Sequence, residues 1–68
     1  MKGVMETERG FLLRFNVKIY PVEVVKKCLA GMDVLREELA GDYFLVEIAG
    51  SREDALEVFS RALGEVVG

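Results

Sequence analysis

The sequence predicts an α+β domain, a two-layer arrangement in which two helices pack on one face of a small sheet, in the order (β)βαβα. Three observations carry that prediction. Residues 11 to 20, "FLLRFNVKIY", alternate apolar and polar side chains, residues 22 to 40 repeat apolar ones at helical spacing, and "DYFLVEIAG" alternates again before a helix-start signal at "SRED". Sixty-eight residues make a single domain, residues 1–68, with no linker, internal repeat or low-complexity segment.

The elements follow in order. Residues 1–9 read as an edge strand or a frayed arm, with the pairing segment near residues 2 to 7 and a turn at "ERG" where Gly10 can supply positive φ. In residues 11 to 20, Phe11, Leu13, Phe15, Val17 and Ile19 share a buried face, while Leu12, Arg14, Asn16, Lys18 and Tyr20 share the other. Pro21 ends this strand and suits the first turn of a helix, where its missing N–H costs nothing.

From Val22 to about Ala40 the spacing predicts one helix, with a break at Gly31 and Asp33 capping a second short helix as the alternative. Val24, Val25, Cys28, Leu29, Met32, Leu35 and Leu39 fall within an arc of about 140° at 100° per residue. Gly31 weakens it by about 1 kcal/mol relative to alanine, and Gly41 closes it as a left-handed C-terminal residue. In the next strand Phe44, Val46 and Ile48 face the core, with Tyr43, Leu45 and Glu47 on the reverse. Ser51 and Asp54 have the spacing of a reciprocal cap, and Ala55, Leu56, Phe59, Ala62, Leu63 and Val66 form the buried stripe of the last helix. A strand, a long helix and a strand then imply a right-handed crossover between parallel strands. Val34 and Val58 fall on the polar faces of their helices.

Composition narrows the function. The chain has no histidine and a single cysteine, so it forms neither an internal disulfide nor a thiolate–imidazole zinc site. Cys28 sits mid-stripe with no base beside it and reads as core filler rather than nucleophile. The adjacent pairs Glu37–Glu38 and Glu53–Asp54 do not converge on a helix and read as solvated faces. The glycines have no phosphate-loop or dinucleotide spacing, so no cofactor and no metal is expected, and catalysis is not. A net charge of −3 argues against sequence-independent nucleic-acid binding. No apolar run is long enough to span a bilayer, and "MKGVMETERG" has no signal-like apolar core, so a cytoplasmic chain with its thiol reduced is expected. Charged residues at 31% with Asn16 as the only side-chain amide resemble thermophile usage.

Apolar residues are 51% of the chain and mean hydropathy is +0.25. A body this small leaves part of that surface uncovered unless another chain covers it, which predicts a homodimer or a hetero-complex. The contact surface expected from the strand pattern is the sheet face away from the helices, with Leu12, Arg14, Lys18, Tyr20, Tyr43, Leu45 and Glu47 as candidate residues. Arg14 or Lys18 paired with Glu47 would make the same face an ordinary solvated one. Tyr20 and Tyr43 stacking on bases, with Arg14 and Lys18 on phosphates, would make it an RNA platform.

Two families share parts of this pattern. The segments "FNVKIYPVEVVKKC", "DYFLVEI" and "EVFSRAL" resemble the small HxsD proteins of the His-Xaa-Ser system. That resemblance implies an accessory, non-catalytic subunit beside radical-SAM enzymes that modify peptides. "DYFLVEIAGSREDALEVFSRAL" is also similar to the C-terminal half of the small dimerisation subunit of the KEOPS tRNA-modifying complex, and "FNVKIYPVEVVKK" resembles its opening strand and helix. That family carries a further strand between its two helices, for which the stretch from Met32 to Tyr43 leaves no room here.

Overall fold

The computed structural model describes residues 3–68; Met1 and Lys2, at the start of the expected arm, lie outside the described residues. The elements are β1 (Val4–Glu6), β2 (Phe11–Asn16), α1 (Val22–Cys28), β3 (Asp33–Ala40), β4 (Tyr43–Ala49) and α2 (Arg52–Val67). The fold is α+β: a four-stranded antiparallel open sheet in the order β1-β2-β4-β3, with two helices, as ββαββα.

The two central strands, with their buried faces, are the ones the alternation predicts. Phe11, Leu13 and Phe15 lie opposite Ile48, Val46 and Phe44. Directly opposed residues share a face, so these six form the apolar floor, and all are buried. Val25 and Cys28 from α1, Leu29 that caps it, and Ala55, Val58 and Ala62 from α2 close over it. Phe59 stacks on Phe15 with ring centroids 4.2 Å apart. Cys28 belongs to this core.

Two expectations are overturned between residues 22 and 43. The helix that starts at Val22 stops at Cys28, and Gly31 turns the chain with φ +86°. Residues 33 to 40 form a strand in place of the rest of the long helix. Gly41 has φ +61°, but it opens the two-residue turn of a hairpin, with Ala40 opposite Tyr43. Because β3 intervenes, β4 returns antiparallel to β2, and the parallel crossover does not exist. The physical reason is pairing: β3 gains a ladder along β4, against a helix that Gly31 already weakens.

Three smaller corrections follow from local chemistry. The strand expected to reach Tyr20 ends at Asn16, whose carbonyl accepts from Ile19 and Tyr20 N–H and whose Oδ1 accepts from Lys18 N–H at 2.9 Å. Ile19 is therefore 57% exposed rather than buried. On α2, Val58 is buried, while Leu56 and Leu63 are at the surface, because Ala55 and Ala62 are the residues turned to the sheet. Val34 packs against the core opposite Ile48, whereas Leu39, expected in the core, is 64% exposed on β3.

The cap on α2 has the predicted form. Asp54 N–H donates to Ser51 Oγ at 3.1 Å, and Ser51 N–H donates to Asp54 Oδ2 at 3.0 Å. Gly10 has no positive φ; it is needed because a Cβ there would lie 1.9 Å from the carbonyl oxygen of Ile48. Among the described residues, no helix is long and apolar enough to cross a membrane.

Candidate functional site

Both helices cover the face carrying Phe11, Leu13 and Phe15, so the other face of the sheet carries whatever the strands turn away from them. Register fixes its layout. Met5 lies opposite Leu12, and Leu12 opposite Glu47. Arg14 lies opposite Leu45 and Asn16 opposite Tyr43. β3 extends the same face with Arg36 opposite Glu47, Glu38 opposite Leu45 and Ala40 opposite Tyr43.

Five of the seven candidate residues thus come together: Leu12, Arg14, Tyr43, Leu45 and Glu47. The other two do not. Lys18 stands in the turn after β2, 3.6 Å from Asp42 Oδ2. Tyr20 packs in the helix layer, edge-on to Phe15 at 5.4 Å and to Phe59 at 6.4 Å. The early end of β2 at Asn16 is what takes both off the face.

The face mixes apolar and charged side chains. Met5, Leu12, Arg14 and Leu45, with Gly3, line a shallow hollow of about 140 Å³. Met5 is 60% exposed there. The Arg14 guanidinium lies over the Tyr43 ring, 4.8 Å from its centroid, an interaction worth about 0.5–1 kcal/mol at an exposed site. Glu47 accepts a hydrogen bond from the Thr7 hydroxyl at 2.8 Å instead of pairing with Arg14 or Lys18. Thr7 also accepts from Gly10 N–H at 3.0 Å, which ties the β1–β2 turn to β4.

Sequence reasoning missed Met5, Arg36 and Glu38. Met5 is visible in the alternation of Val4 and Met5, which thin apolar content obscured. Arg36 and Glu38 were hidden inside the expected helix, and the signal that reveals them is Gly41-Asp42 set between two runs of strand length.

Two further hollows lie on the helix side. One, of about 350 Å³, is lined by Lys27, Cys28, Arg61, Gly64 and Glu65. Lys27 donates to Glu65 beside it, and that hydrogen bond and charge raise the lysine pKa above its ordinary value. The other, of about 270 Å³, runs along α2 between Tyr20, Leu56, Phe59, Ser60 and Leu63. Among the described residues no three Cys, Asp or Glu side chains gather as a metal ion needs. Comparison with protein-family models, curated proteins and solved structures finds no match to this chain.

Proposed function

We propose that the chain is a small, non-catalytic protein-interaction module of the cytoplasm, self-associating or serving as an accessory subunit of a larger enzyme complex. Its contact surface is the open face of the sheet. The observation that carries this reading is the apolar hollow of Met5, Leu12 and Leu45 edged by Arg14 on Tyr43. Aromatic residues, methionine and arginine around an aliphatic centre are the makeup of protein contacts. An uncovered face of an antiparallel sheet is ordinarily polar.

The alternative of RNA binding has less support, since Tyr20 packs beside α2 and leaves one tyrosine on the face, already occupied by Arg14. A subunit role in a tRNA-modifying complex gains support from the topology. β3 lies between the two helices, at the place where the KEOPS small subunit has its further strand. The HxsD resemblance supports the same general role of accessory subunit.

Light scattering across a wide concentration range tests the reading. Mass should rise with concentration, and Leu45→Lys or Tyr43→Lys should each lower the midpoint affinity at least about tenfold, as for central interface residues. Three strictly monomeric proteins, or an association indifferent to both substitutions, would overturn it.

A further inference from the structure

Among the described residues the sheet has two outer strands of unequal character. β1 pairs over three residues, whereas β3 runs for eight, Asp33–Ala40, with one edge against β4 and the other bare. A long bare edge is a template for another strand, and charges usually protect it. The charges of β3 are arranged in a way that permits one specific partner.

Consider β3 antiparallel to itself about Glu37. Arg36 then stands opposite Glu38 of the second copy, and Glu38 opposite its Arg36. The bulge at Val34–Arg36 leaves this central stretch regular. Arg36 and Glu38 both lie on the open face, and among the described residues neither has an ion-pair partner. On the helix side, Leu39, now 64% exposed, comes beside the bulged segment at Leu35 of the second copy. The two Glu37 carboxylates meet at the centre, each with its own Lys26 ammonium at 3.8 Å. Shifting the register by two residues in either direction loses both Arg36–Glu38 pairs and sets Glu38 or Arg36 against itself.

We infer that two copies of this chain pair through the outer edges of their β3 strands, centred on Glu37, into one continuous eight-stranded sheet. The inference rests on the reading of a self-associating module, but it uses a different surface. Pairing at the edge leaves both open faces accessible and sets them side by side, so the contact that Leu45→Lys and Tyr43→Lys weaken is a second association, separate from the edge dimer.

The test is a charge exchange. Glu38→Arg sets two guanidinium groups against each other at both cross-strand positions and should weaken the pairing at least about tenfold. Arg36→Glu sets two carboxylates against each other at the same positions, with the same result. The two variants, each folded by circular dichroism, should form a heterodimer when mixed. A like-with-like pair holds two arginines at both cross-strand positions in Glu38→Arg and two glutamates at both in Arg36→Glu; in the mixed pair every contact is arginine against glutamate. Arg36→Glu faces Glu47 in its own sheet, so the double variant R36E/E38R, expected to dimerise by itself, is made as well. Masses unmoved by Glu38→Arg, or variants that neither recombine nor regain pairing in the double variant, would overturn the edge contact. The open-face reading fails separately, through Leu45→Lys and Tyr43→Lys.

Discussion

Gly10 shows how much a single residue can decide in a sheet this small. It immediately precedes β2 where that strand meets the end of β4, and its missing side chain lets the backbone pass the Ile48 carbonyl. A Cβ there would sit 1.9 Å from that oxygen and 3.0 Å from the Ala49 Cα, all backbone atoms with no soft rotation available. Gly10→Ala should therefore cost about 3 kcal/mol, at the upper end of overpacking. Gly64 is the contrast: nothing lies within 4 Å of its added Cβ, and it sits inside α2, so Gly64→Ala should stabilise by about 0.5–1 kcal/mol. Urea unfolding of the two variants measures both, and equal effects would remove the steric account. Sequence marked Gly10 as a turn residue, which it is. That it is needed for close approach rather than for positive φ was not legible, because the close neighbour, Ile48, is distant in the chain.

At the scale of elements, the hairpin of β3 and β4 carries the largest difference between sequence and structure. "DVLREELA" is rich in good helix formers, and Met32, Leu35 and Leu39 continue the stripe begun by Val25 and Cys28. Local preference and period both favour helix, and only pairing with β4 favours strand. The alternating strands β2 and β4 were legible because their burial pattern is local, and so was the Ser51–Asp54 cap. Gly41 served either reading, since a helix end and a hairpin turn both take a left-handed glycine. The hairpin makes its own prediction. Gly41→Val forces a branched side chain into φ +61° and should cost about 1–2 kcal/mol, whereas Gly41→Asn should cost less. In the Glu38→Arg variant hydrogen exchange along β3 should be faster than in the wild type, because β3 then has only β4 to hold it. Equal β3 protection in the two proteins would contradict this. The open face was legible to the same extent as the strands: Leu12, Arg14, Tyr43, Leu45 and Glu47 follow from alternation, whereas Lys18 and Tyr20 required knowing that the Asn16 side chain ends the ladder.

For the molecule as a whole, the question is where its apolar half resides. The radius of gyration is 10.7 Å, close to the ~11 Å of a compact chain of this length, so the core is not loosely filled. The surplus is at the surface instead, in Met5, Ile19, Leu39, Leu63 and Val67. A domain of this size gains little margin from its core alone, and covering part of that surface with a second copy would add to stability by mass action. Melting temperature then depends on concentration. If unfolding and dissociation are one transition, the enthalpy of two chains gives a rise of about 5 °C for each tenfold increase in concentration. The Glu38→Arg variant, held monomeric, should melt at one temperature over the same range. A wild-type melting temperature that does not move while Glu38→Arg matches it throughout would mean that the folded chain stands without its second copy. A slope shared equally by both proteins would place the association on another surface, with the open face the next to substitute.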